Sequence, residues 1–310
     1  MNALGIDTSN YTTSCALYGA EAFRHERRLL PVKPGERGIR QSDAVFHHTQ
    51  QLPALMESLL ADAHGQIEAV GASARPRDVE GSYMPCFTVG SGAARSIAAA
   101  LGIPVYLFSH QAGHLAAALV STGRTELLRQ PFIAFHVSGG TTEALLVRPD
   151  DQTVFSCELL GATEDLNAGQ VIDRTGVRLG LQFPCGPELE KLAAQSTRDF
   201  HPKVCVRGGN CSLSGLENQC GAMLANGEAP ADIARYCLSF VAETLLRMTK
   251  HAVEAAGDLP LLFAGGVMSN QLIRAAILNA YPAYFASPAL SCDNAVGVAA
   301  LTYWKKEGAV

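Results

Sequence analysis

One segment of the chain occurs twice. Ser9-Asn10-Tyr11-Thr12-Thr13-Ser14-Cys15-Ala16-Leu17 aligns with Ser138-Gly139-Gly140-Thr141-Thr142-Glu143-Ala144-Leu145-Leu146 at a constant offset of 129, sharing Ser, Thr, Thr and Leu. Four matches in nine is a weak signal alone, but each copy sits at a strand-turn-strand junction that opens one half of the chain. A long internal repeat of this kind predicts two similar lobes. The expected division is 1–129 for the N-terminal lobe and 130–310 for the C-terminal lobe, with the last helix free to pack back toward the first. Two tight turns, one per lobe, would then line a cleft, where ligands usually sit.

Strand and helix patterns alternate, which predicts an α/β fold. Leu4 to Asp7, Thr12 to Tyr18 and Ala22 to Leu29 read as a strand meander, followed by a polar Pro/Gly loop over 30–42. Ala44 to Ala63 has helical spacing, with Leu52, Leu55, Met56 and Leu59 on one face. Ile67 to Ala74 is a predicted strand, Phe87 to Leu101 a helix, Val105 to Phe108 a strand and His110 to Val120 a helix. The pattern restarts with strands over Phe132 to Val137, Thr142 to Val147 and Thr153 to Leu159. A mostly helical stretch to about Gly257 leads to a strand over Leu261 to Ala264 that stops at two glycines. A helix, a short strand near Tyr284-Phe285 and a last helix from Asp293 to Lys305 complete the order.

Composition narrows the class. At 48% hydrophobic and 17% charged, 310 residues can bury a large core, which excludes disorder as the main state. The net charge of −5 gives no basic field around the whole molecule, so a nucleic-acid partner needs a local patch or a second protein. Nine scattered cysteines contain no Cys-x-x-Cys pair, which excludes a zinc ribbon or thioredoxin-like motif and fits reduced thiols in a cytoplasmic protein. No uncharged apolar run reaches about 18 residues, so no membrane span is expected. No Walker A, Gly-x-Gly-x-x-Gly or Gly-x-Ser-x-Gly sequence occurs.

Five segments carry candidate chemistry. In His110-Gln111-Ala112-Gly113-His114 the histidines are four apart on a predicted helix, so both imidazoles can reach one metal ion. Gly113 between them lets another segment or a ligand approach. No glutamate accompanies the pair as in His-Glu-x-x-His, which argues against a metalloprotease. Ser138-Gly139-Gly140-Thr141-Thr142 reads either as an anion-cradling turn or as an ordinary hairpin tip. Ala264-Gly265-Gly266-Val267-Met268-Ser269-Asn270 ends a strand and opens a helix, a place where backbone can approach a nucleotide. Asp293, in Ser291-Cys292-Asp293-Asn294, reads as a helix N-cap, and as a metal ligand if the fold brings it to the histidines. Asp165 to Asp173 reads as a carboxylate-bearing helix, followed by the turn Phe183-Pro184-Cys185-Gly186-Pro187 and Glu190.

Taken in order, these segments resemble the tRNA threonylcarbamoyladenosine synthase family, long called the glycoprotease or O-sialoglycoprotein endopeptidase family. The likeness runs from Leu4 to about Leu301 and includes Ser212-Leu213-Ser214-Gly215-Leu216. It implies the actin/sugar-kinase/heat-shock-ATPase fold, with its internal duplication and a cleft between two lobes. It also implies transfer of the threonylcarbamoyl group from threonylcarbamoyl-AMP to adenosine in tRNA. Carried over, His110, His114 and Asp293 match the ligands of one divalent ion, iron or zinc, with His136 as a substitute fourth ligand. His136, Val137, Ser138, Gly139 and Gly140 match the segment that holds the phosphate and acyl group of the donor. Asp173 matches the ribose contact, and Gly186, Glu190 and Asn270 match further nucleotide contacts. No catalytic side chain is assigned. The implied partners are tRNA, a threonylcarbamoyl-AMP synthase and companion subunits.

The chain departs from the family pattern at Asn10-Tyr11-Thr12, where bacterial members carry an Asp-Glu pair, and at Thr141, Gln170 and Glu217. Arg75-Pro76-Arg77 replaces a Gly-Pro-Gly turn; with Arg95 these arginines are the basic group expected near the cleft. Such changes suit a divergent paralogue. The alternatives are therefore a carbamoyl-type transferase with a non-tRNA acceptor, favoured by Glu217, and a nucleotide-binding subunit without catalysis.

Overall fold

The computed structural model describes residues 2–9, 11–20, 22–31, 39–61, 66–291 and 293–308. Asn10, most of the Pro/Gly loop and Cys292 lie outside the described residues. The elements are β1 (Asn2–Asp7), β2 (Thr12–Gly19), β3 (Phe23–Leu29), α1 (Gln41–Ala61), β4 (Ile67–Arg75), α2 (Phe87–Leu101), β5 (Val105–Ser109) and α3 (His110–Thr122). They continue as β6 (Phe132–Val137), β7 (Thr142–Asp150), β8 (Val154–Ala162), α4 (Ala168–Arg178), α5 (Gly186–Ala193), β9 (Val206–Arg207), β10 (Asn210–Cys211), α6 (Ser214–Ala225) and α7 (Pro230–Ala256). Then come β11 (Leu261–Ala264), α8 (Gln271–Ala280), β12 (Ala283–Phe285) and α9 (Val296–Glu307).

Two five-stranded sheets result, ordered β3-β2-β1-β4-β5 and β12-β11-β6-β7-β8. The second order, reversed, is the first: an antiparallel meander joined through its opening strand to two parallel strands. The registers agree residue by residue. Ala3 pairs with Tyr18 and Asp7 with Ser14; Phe132 pairs with Val147 and His136 with Glu143. Adding the sequence offset of 129 to the first two pairs yields the second two.

The described chain divides into two compact units. One comprises Met1–Gln130, Arg148–Cys157 and Ala289–Val310; the other Pro131–Val147 and Glu158–Pro288. In the first, Leu4, Ile6, Cys15 and Leu17 pack with Leu52, Leu55 and Leu59 of α1, while Ala16 packs with Ala117, Val296 and Ala299 on the other face of the sheet. Tyr18 meets Tyr303 and Trp304 of α9 edge-on. α9 lies unusually close because glycines face it. A Cβ on Gly5 would stand 2.4 Å from the Ala299 nitrogen, and one on Gly297 would stand 1.8 Å from the Gly113 oxygen of α3. In the second unit, Phe135 and Phe263 stack with ring centroids 4.7 Å apart, over a core that runs through Leu238, Val241 and Leu245 of α7.

Two helix starts differ from the sequence reading. α9 begins at Val296, not Asp293: Ala295 is the N-cap residue, and just before it Asn294 Oδ1 accepts from Val296 N at 3.0 Å in a local turn. Asp165 precedes α4. Its carboxylate instead accepts from Leu213 N, Ser214 N and Ser214 Oγ, holding the start of α6, where negative charge is favoured. No described helix is long and apolar enough to cross a membrane. Eight of the nine cysteines are described and all eight are free thiols.

Candidate functional site

The first unit gathers its polar groups where β1 and β5 end and α3 begins. Ser109 caps α3, its Oγ accepting from Ala112 N at 3.1 Å, so His110 and His114 fall one turn apart on the same helix face. The close α3–α9 approach at Gly113 and Gly297 brings the segment just before α9 to that face. Asp293 Oδ1 then lies 3.5 Å from His110 Nε2 and 3.4 Å from His114 Nε2, and the two Nε2 atoms are 2.9 Å apart. All three ligand atoms fall within 4.8 Å of one another.

Behind this triad stands Asp7, which the sequence reading passed over as part of a buried strand. It is 1% exposed. Its Oδ2 accepts from Ser73 Oγ and sits 2.8 Å from His110 Nδ1, while its Oδ1 accepts from Ser9 N. Burial opposes ionisation of Asp7, but His110 and the surrounding donors outweigh it and lower its pKa. The anionic carboxylate requires His110 to donate through Nδ1 and turn Nε2 toward His114 and Asp293. Burial likewise pushes the His110 pKa down, yet the charges of Asp7 and Asp293 prevail and raise it to about 10. Burial would raise the Asp293 carboxyl; the two histidines instead hold it well below the ordinary carboxylate range. The one sequence sign of Asp7 was an acid closing an otherwise apolar strand, Leu4-Gly5-Ile6-Asp7.

The second unit holds the other predicted residues. His136 and Val137 end β6 and are buried. In the turn that follows, Ser138 N donates to Thr141 O, and Ser138 Oγ accepts from Gly140 N and Thr141 N at 3.2 and 3.1 Å. Neither Gly139 nor Gly140 is in the left-handed region, so no alternating anion nest is formed here. Space above both is open: a Cβ on either would meet nothing within 4 Å. The glycines that close approach demands are its neighbours. A Cβ on Gly169 would stand 2.6 Å from Gly139 N, and one on Gly265, at φ +97, 2.3 Å from Val137 O.

Asp173, Glu190 and Asn270 are joined by backbone ties. Asp173 Oδ1 accepts from Cys185 N at 2.8 Å, beside Gly186; burial raises its pKa. Glu190 Oε1 accepts from Gln271 N, and Asn270 Oδ1 caps α8 by accepting from Ile273 N. Two departures from the family pattern also find roles. Gln170 Oε1 accepts from Asn167 N at the start of α4, which an amide or a carboxylate does equally. Glu217 is clasped by Arg174 and Arg178 at 2.9 Å each, so its reversed charge is more than balanced. Of the expected basic group, Arg75 is paired with Asp78.

Residues 28–300 match the pattern of tRNA N6-adenosine threonylcarbamoyltransferase (TsaD), and the chain belongs to that family. Its members are acyltransferases of tRNA modification. Among solved structures, full-length HypF in its phosphate- and nucleotide-bound form aligns with 99% of the chain and 46% of its own length, at 12% identity and a TM-score of 0.63. The chain therefore spans about half of HypF. Component A of the (R)-2-hydroxyglutaryl-CoA dehydratase of Acidaminococcus fermentans aligns over 100% of both chains at 16% identity and 0.57. The ROK hexokinase of Thermus thermophilus aligns over 99% of this chain and 100% of its own, at 16% and 0.53. These likenesses show the actin-like ATPase and sugar-kinase fold.

Proposed function

We propose that this protein transfers the threonylcarbamoyl group from threonylcarbamoyl-AMP to the exocyclic amine of an adenosine in tRNA, with a divalent ion held by His110, His114 and Asp293. The observation that carries the reading is the convergence of two Nε2 atoms and one carboxylate oxygen within 4.8 Å, in a chain of this family. Two imidazole nitrogens face each other across 2.9 Å, an arrangement that a shared proton or a cation relieves. Three nitrogen and oxygen donors suit zinc or iron(II) with positions left open. Bound there, the ion supplies Lewis acidity toward the acyl carbonyl.

The residues do the rest. Asp7 keeps the proton on His110 Nδ1 and fixes the ring. The nucleotide is assigned to Asp173, Gly186, Glu190 and Asn270, and its phosphate to the turn at Ser138, Gly139 and Gly140. Rotation of Ser138 would free the N–H groups of Gly140 and Thr141 for that phosphate. In the transfer, the amine forms a bond to the carbamoyl carbon, the bond from that carbon to the phosphate oxygen breaks, and AMP leaves as a proton is lost from nitrogen. The amine is a weak nucleophile, so positioning contributes heavily.

The deciding experiment mixes the protein, threonylcarbamoyl-AMP and unmodified tRNA, with and without companion subunits, and examines the digested nucleosides by mass spectrometry. Threonylcarbamoyladenosine is the expected product; its absence beside a working positive control overturns the reading. Asp7→Asn removes the charge that orients His110, so metal affinity in a chelator competition should fall about 10–100-fold. An unchanged affinity would mean that Asp7 serves only the strand end. Metal binding must also displace a proton, because the His110 pKa of about 10 keeps the ring charged at neutral pH. Apparent affinity should therefore rise about tenfold per pH unit between about pH 7 and 9, with one proton released per ion by calorimetry in paired buffers. A flat profile would show that His110 is not charged in the metal-free protein.

A further inference from the structure

The first sheet ends on β3, and that edge is basic. Among the described residues β3 pairs on one side only, with β2. Among the described residues from 22 to 40 stand Arg24, Arg27, Arg28 and Arg40 against the single acid Glu26, in a chain of net charge −5. All four arginines are exposed. The register places Arg24 opposite Leu17 and Arg28 opposite Thr13, on the face that packs α1, and Arg27 opposite Ser14 on the other face. Positive charge therefore wraps both faces of the strand, over about 13 Å from Arg24 to Arg28. Glu26, whose carboxylate also accepts from Ser58 Oγ of α1, offsets only part of it, one acid against four arginines. Both signs are felt locally: burial and then the charge of Arg27 lower the pKa of His25, against an opposing push from Glu26.

Charged edge strands often serve only to prevent strand pairing between molecules. This strand also displays Phe23 at 38% and Leu29 at 72% exposure, apolar surface at each end of the arginine row. An acidic protein gains nothing from its overall field when it binds a polyanion, so binding must concentrate on such a patch. We propose that the arginine-lined edge of β3 is a docking surface for the phosphate backbone of RNA. The proposal rests on the transfer reading above, in which the acceptor is an RNA. Exposed guanidiniums neutralise phosphates and release counterions, while Phe23 and Leu29 offer apolar contact to sugars and bases.

The test compares the full chain with its R24Q/R27Q/R28Q variant, using an unmodified tRNA transcript and fluorescence anisotropy from about 50 to 200 mM salt. The slope of log K against log salt should shrink by about 3, one per arginine, and affinity should fall about tenfold or more. AMP binding should be unchanged. The charge-conserving R24K/R27K/R28K variant should keep the wild-type slope, which separates charge from folding. Equal tRNA binding by wild type and the glutamine variant would overturn the proposal, as would a wild type that does not bind tRNA at about 50 mM salt. If binding follows the prediction but no threonylcarbamoyladenosine forms in the nucleoside assay, the surface stands and the transfer reading falls.

Discussion

His114→Ala should lower formation of threonylcarbamoyladenosine by about a thousandfold or more and abolish the metal binding proposed for the triad. The size follows from the several kcal/mol that a Lewis acid contributes at an acyl carbonyl. His114 is the informative position because its removal leaves the Asp7–His110 pair intact. His110→Ala should abolish the product as well, but it also leaves the buried Asp7 carboxylate without its ring partner, at a cost of about 3–5 kcal/mol. A loss there would mix chemistry with folding. Product analysis and metal content, measured on the same His114→Ala preparation with its thermal midpoint, separate the two. Activity within tenfold of wild type would remove the triad from the reaction.

The second large effect should come from a single methyl group. In Gly297→Ala the new Cβ meets the Gly113 oxygen at 1.8 Å and the Ala117 nitrogen at 2.7 Å. Both are backbone atoms of α3, so nothing flexible can yield. α9 has to move away from α3, at a cost of about 3 kcal/mol or more. The thermal midpoint should then drop by about 6–12 °C. The same displacement carries Asp293 away from the histidines, so metal affinity should fall along with stability. Gly139→Ala is the control, because a Cβ there meets nothing within 4 Å and should leave the midpoint unchanged. A stable Gly297→Ala protein with intact metal binding would show that the helices are not held together at that contact.

Much of the fold was legible because the repeated strand-turn-strand segments leave a period-2 pattern and a constant offset in the chain. The histidine pair was legible for a similar reason, since its spacing is local. The residues alone offered Asp293 as a helix cap, or as a ligand only if the fold brought it to the histidines, and the resemblance chose the second. What draws it to the histidines is the contact of Gly113 with Gly297, and nothing local in either segment announces the other. Asp7 was missed because its partner, His110, is 103 residues away. The tie of Glu190 to Gln271 N, 81 residues away, escaped for the same reason. A carboxylate on a helix looks the same in sequence whether it meets solvent or the backbone of a distant turn.

The matched ladders of the two sheets bear on how such a protein came to be. Asp7 and His136 occupy the same rung, one in each sheet. In a duplicated gene, that rung was inherited twice. One copy now carries a buried acid that steers an imidazole, and the other carries an imidazole itself. The two strand ends differ in chemistry while the pairing beneath them stays in step.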